Sequence, residues 1–169
     1  MLNKKWESVY TVFNVMEKTC EPLSSIQKDL TPVNGNGDKI LQIHNILVEE
    51  LEEFRKIIDT LLPANEAKLV LIPIILYFDE LILTNYFNDI PLKWHLLQKK
   101  IYNTTNGGDK FYRIADLVIK KEKVDSFVCE VYYFCLKHGF RGKYIDQENK
   151  IKEYMEMFEL RLLSGIESS

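Results

Sequence analysis

Between Leu69 and Phe78 the chain offers a helix no polar face. This run lies inside a longer segment, Ala64 to Phe87, that is apolar on nearly every side until Tyr77. A helix of that kind is stable only when other elements cover it from several directions. Pro73 falls within the run, where it either kinks the helix or marks its first turn. The bulky β-branched residues would also suit a buried strand. The length of the segment and the lack of other strand-like runs favour a central helix.

Amphipathic segments are available to surround it. Ile40, Ile43, Leu47, Leu51, Phe54, Ile58 and Leu61 form one apolar stripe at helical spacing, with Asp38 placed to cap it and Pro63 to close it. Trp6, Val9, Phe13, Met16 and Cys20 predict a helix over 4–19, ended with the help of Pro22. Residues 21–38, with Pro32 and the breakers Asn34-Gly-Asn-Gly-Asp38, read as a flexible linker. A fourth helix is expected over 91–102, with Pro91 at its start, followed by a loop at Thr104–Gly108. A fifth begins near Asp109, with Phe111, Ile114, Ala115 and Val118 on one face. A sixth uses Val124, Phe127, Val128, Val131 and Cys135, with Asp125 near its start and Gly139 as the residue that stops it. The last runs over 146–163 on Ile151, Tyr154, Met155, Phe158 and Leu162. The expectation is one all-α domain of about seven helices, joined by short connections and packed as bundles.

Composition narrows the function classes. The net charge is −3 and there is no long Lys/Arg block, so nothing points to nucleic acid. The short cluster Lys120, Lys121 and Lys123 encloses Glu122 and reads as a solvated helix end. Three widely spaced cysteines, Cys20, Cys129 and Cys135, make neither a disulfide framework nor a CxxC pair. The longest apolar run is far short of the ~20 residues that span a bilayer.

No constellation of catalytic residues stands out. His44, His95 and His138 lie far apart in sequence without HxxxH spacing, and read as surface or cap histidines rather than metal ligands. Nucleophile motifs and phosphate-binding glycine loops are absent. Gly107-Gly108 reads as a turn, and Trp94, Phe111 and Tyr112 read as core. The local feature of most interest is the pair Asp79-Glu80, which ends the most apolar stretch. Carboxylates there either face solvent or have a task, because burying them unpaired is costly. A magnesium-bound acidic box would need more aspartates than this one pair. No cofactor and no metal are expected, and the chain reads as a non-enzyme.

Four blocks in one order carry a resemblance. They are Ile75-Leu-Tyr-Phe-Asp-Glu-Leu-Ile-Leu83, Trp94 with Leu97-Gln98, Gly107-Gly-Asp-Lys-Phe-Tyr112, and Tyr133-Phe-Cys-Leu-Lys-His-Gly-Phe-Arg-Gly-Lys-Tyr144. Together, over roughly residues 40–160, they resemble the DotU/TssL (IcmH-like) family of type VI and type IVB secretion-system proteins. Trp94, Gly107, Gly108, Phe111, Gly139, Phe140, Gly142 and Tyr144 form the structural signature.

The resemblance implies an all-α fold of two small helical bundles with a cleft between them. It implies a cytoplasmic domain at the bacterial inner membrane, anchored by a C-terminal transmembrane helix that would follow Ser169. The implied partners are an IcmF/TssM-like inner-membrane protein and a TssK-like baseplate protein, with at most weak self-association. It further implies an exposed acidic contact at Asp79 and Glu80. Within the Gly139–Tyr144 turn, Arg141 and Lys143 are expected to project outward. The alternative reading is an unrelated soluble helical adaptor or regulator.

Overall fold

The structure, a computed structural model, describes residues 3–28, 36–88 and 92–167. The described residues form seven α-helices and one short 3₁₀ turn: α1 (Lys4–Lys28), α2 (Asn36–Leu61), α3 (Ala64–Tyr86), α4 (Leu97–Tyr102), α5 (Gly107–Lys120), α6 (Ser126–Lys137), the turn Gly142–Tyr144, and α7 (Glu148–Glu167). The all-α expectation holds. Residues 69–78 are helical throughout, so the strand alternative falls away, and α3 passes through Pro73 rather than starting there. Val70 to Asp79 are all buried.

The chain divides into two compact units, residues 1–62 with 78–105 and residues 63–77 with 106–169. In the first, α1 and α2 pack along each other. The α2 stripe is buried as expected, together with His44. On α1 the stripe Val9, Val12, Met16, Cys20, Leu23 and Ile26 is buried and extends past Pro22. The expected end of this helix near Thr19 is therefore corrected, as is the expected linker at residues 21–28 and 36–38. Pro22 sits inside α1, and Asn36–Asp38 already belong to α2. Apolar packing of Leu23 and Ile26 outweighs the backbone bond that proline removes. Pro32 and Asn34-Gly35 lie outside the described residues.

In the second unit α6 packs on α7, and the 3₁₀ turn sits against α5. Aromatic rings fill its centre. Phe111 lies 4.2 Å from Phe140 and 5.1 Å from Tyr132, Tyr112 meets Tyr144 edge-on at 4.6 Å, and Tyr132 stacks on Phe158 at 5.6 Å. Offset and edge-on pairs of this kind add to the stabilisation from burial alone. Asp125 caps α6 by accepting the Phe127 N–H at 2.9 Å.

Candidate functional site

An aspartate that ends an apolar run inside a helix must find donors or stay in water. Asp79 finds four. Its carboxylate accepts the backbone N–H groups of Leu97 (2.8 Å) and Gln98 (2.9 Å), the indole N–H of Trp94 (3.0 Å) and the side-chain amide of Gln98 (3.1 Å). The residue is 1% exposed. Burial pushes its carboxyl above the ordinary range, while the bonds from Gln98, Leu97 and Trp94 pull the other way.

This arrangement explains why the fourth helix is short. The expected start at Pro91 is corrected to Leu97. Leu96, the residue before the helix, offers no capping side chain, so the first N–H groups of α4 are satisfied by Asp79 on α3. Residues 92–96 are non-helical, and the bond from Trp94 helps hold them to the same carboxylate.

His44 belongs to the same neighbourhood. Its ring lies edge-on to Trp94 at 5.5 Å and to His95 at 6.1 Å. At 5% exposure it is not the surface or cap histidine expected from its spacing. Its Nδ1 lies 3.4 Å from Asn45 Oδ1, and its buried Nε2 has no hydrogen-bond partner. Burial, above all, holds its pKa below the usual histidine range. The Asn45 bond opposes this, His95 and Lys100 add to it, and Asp79 opposes it.

The expected exposed acidic pair therefore separates. Asp79 is buried and bonded, and this corrects its placement at a partner surface. Its neighbour Glu80 is half-buried. Trp94, read as core, is buried and joins Asp79 through its indole N–H. Sequence reasoning missed Gln98 and His44 as members of the cluster. His44 was discoverable, since it falls one turn after Ile40 and one turn before Leu47 on the apolar stripe.

The rest of the signature gathers in the second unit. Gly139, at φ +121°, closes α6. The Gly139 N–H donates to Leu136 and the Phe140 N–H to Cys135, the paired bonds of a Schellman stop. Gly142, at φ +56°, lies against Gly108 backbone to backbone. A β-carbon on Gly142 would meet the Gly108 carbonyl oxygen at 2.9 Å, and one on Gly108 would meet the Lys143 nitrogen at 3.1 Å. Gly107 is buried at the head of α5. Phe140 and Phe111 are buried in the aromatic centre, and Tyr144 packs on Tyr112.

Two polar bonds pin the same turn. Tyr112 donates to the Arg141 carbonyl at 2.6 Å and Tyr77 to the His138 carbonyl at 2.7 Å. Arg141 and Lys143 do not simply project outward. Arg141 folds back to donate to the carbonyls of Leu136 and Phe140 and to Glu148. Lys143 donates to Asp109 at 3.0 Å. Both cations are used in holding the turn.

All three cysteines are buried and none is in a disulfide. Burial pushes the Cys20 thiol up to about 12 and the Cys129 thiol to about 11, which suits packing and not nucleophilic chemistry.

Residues 16–164 match the family model described as type VI secretion system protein DotU. Among solved structures, the chain is similar to DotU from Francisella novicida, with 17% identity and a TM-score of 0.66. The likeness covers 89% of this chain and 97% of that one. At that identity it speaks for the fold alone. No curated protein matches the chain significantly.

Proposed function

The chain belongs to the DotU family of type VI secretion proteins, and from that premise we propose that it acts as a binding and scaffolding component of the secretion complex. The observation that carries this reading is the family match over residues 16–164. In it, the helical domain sits at the cytoplasmic face of the inner membrane, joins an IcmF/TssM-like partner and docks a TssK-like baseplate protein. Its role is structural, not catalytic. No helix among the described residues is long and apolar enough to cross a membrane.

The acidic contact in this proposal is the half-buried Glu80, next to Asp79 within α3. Asp79 itself is engaged with Trp94, Leu97 and Gln98. A partly exposed carboxylate mainly governs orientation and association rate. The test is co-purification of this domain with the baseplate protein. Glu80→Lys should weaken the complex about tenfold, in the range typical of a charge reversal at a contact rim, and leave the melting temperature within about 2 °C. Undiminished binding by that variant removes Glu80 from the contact.

A further inference from the structure

Two exposed helix faces share one spacing and carry opposite charge. On α5, Lys110, Arg113, Leu117 and Lys120 recur at steps of three and four residues and so lie along one side of the helix. Leu117, in the middle of that side, is 62% exposed. Two carboxylates of α5 sit beside this stripe and are engaged there. Asp109 lies between Arg113 and Lys143, 3.0 Å from each, and Asp116 accepts the Tyr154 hydroxyl at 2.9 Å.

On α2, Ile46, Glu50, Glu53 and Ile57 recur at steps of four, three and four residues, again on one side of the helix. This side lies next to the buried stripe and not on it. Ile46 is 39% and Ile57 47% exposed. Glu53 bonds Lys56 at 3.2 Å, but the two side chains are 64% and 62% exposed, and pairs of that kind hold little.

The two patterns superpose. Counting back from Leu117, Arg113 is four residues away and Lys110 seven; counting back from Ile57, Glu53 is four residues away and Glu50 seven. With the helices side by side, leucine meets isoleucine, and a cation meets a carboxylate one turn and two turns further on. Alternating steps of three and four are the spacing by which neighbouring helices interlock. We infer that this chain self-associates head to tail, with the α5 face of one copy on the α2 face of the next.

The occupant of each face is a second copy because the chain itself carries the matching surface. The two faces differ, so the contact is heterologous, and each copy in a pair keeps one face of each kind open. The apolar pair supplies affinity. The charges set the register and disfavour α5 on α5 or α2 on α2, where like charges would be opposed. The stripe on α5 spans only about 15 Å, so the association is weak and reversible. The inference goes beyond the partner-binding reading and does not depend on it, since Glu80 takes no part.

The test is sedimentation of the whole chain and of two variants. At low salt the wild-type mass should rise reversibly with concentration, and about 0.5 M NaCl should weaken the association at least about fivefold. Arg113→Glu with Leu117→Glu removes the α5 face, and Glu53→Gln with Ile57→Gln removes the α2 face. All four side chains are exposed, so both variants should keep the wild-type melting temperature. Each alone should associate at least about tenfold more weakly than wild type. Mixed one to one, they should form a dimer and nothing larger, because each supplies the face that the other lacks. A wild type that stays monomeric up to about 1 mM overturns the inference. So does wild-type association by either variant alone, indifference to salt, or a mixture that stays monomeric. If the α5 variant loses co-purification with the baseplate protein while wild type never self-associates, the face belongs to another protein and the head-to-tail contact falls.

Discussion

The two units meet the same structural demand by opposite means. Each must fix a non-helical stretch of chain beside the start of a helix. In the first unit the stretch before α4 is held by one buried carboxylate that accepts four bonds. In the second, the turn after α6 is held by two glycines in backbone contact and by aromatic rings packed around Phe140. The first device concentrates its dependence on a single charge. The second spreads it over shape. The difference teaches where each unit is vulnerable: one to loss of an acceptor, the other to the addition of a methyl group.

Removing the acceptor should have the largest effect. Asp79→Ala leaves two backbone N–H groups, an indole N–H and an amide N–H without their partner in a buried site. Each stranded donor costs roughly 1–3 kcal/mol, with partial relief from relaxation and water. The expected loss is about 4 kcal/mol by urea unfolding. Amide exchange localises it, because Leu97 and Gln98 should lose protection while Phe140, bonded to Cys135, keeps it. Equal loss at Phe140 would mean that the two devices are not separable. The same reasoning bears on Asp79→Lys, which would disturb partner binding by releasing residues 94–98 and not by removing a contact.

The second device should break next. In Gly142→Ala the new β-carbon must take a left-handed φ of +56° and crowd a backbone oxygen at 2.9 Å. Strain of the first kind costs about 1–2 kcal/mol, and a rigid backbone neighbour adds to it, for about 3 kcal/mol in total. Gly37→Ala is the control, since nothing lies within 4 Å of its β-carbon position and the residue is helical. There, alanine should stabilise by a few tenths of a kcal/mol up to about 1. Thermal unfolding of the two variants side by side sharpens the contrast, and a harmless Gly142→Ala would show that the turn yields.

The second device was far more legible in the sequence than the first. Gly139 as a helix stop follows from local rules of backbone freedom, and it stands in the structure. The helices themselves follow from stripes at helical spacing, which is why α2, α5 and α6 were placed to within a few residues. Local rules failed where a distant group decided the outcome. Pro22 looked like a stop because nothing nearby reveals that Leu23 and Ile26 continue a buried face. Pro91 looked like a helix start because the true cap, Asp79, lies on another helix. The acidic pair looked like one feature because adjacent residues on a helix point about 100° apart, and only packing decides which of them turns inward. Arg141 looked solvent-facing because its backbone acceptors exist only once the turn has formed.

The smallest expected effect belongs to the polar device alone. His44 is buried beside Trp94, and its pKa is held below that of the unfolded chain by burial first, with His95 and Lys100 adding to it. The unfolded chain therefore binds this proton more readily than the folded one. The stabilising contribution is complete above the unfolded value, near 6.5, and is lost as the pH falls below it. The slope cannot exceed about 1.4 kcal/mol per pH unit for one proton. Amide exchange between about pH 7 and about pH 5, corrected for intrinsic rates, should show protection declining at Leu97 and Gln98 faster than at Phe140. His44→Gln should flatten that decline, because glutamine fills the site without titrating. A decline of the same steepness in the variant would assign the acid sensitivity to another group. It would also leave the carboxylate of Asp79 and its four donors indifferent to the ring that packs beside them.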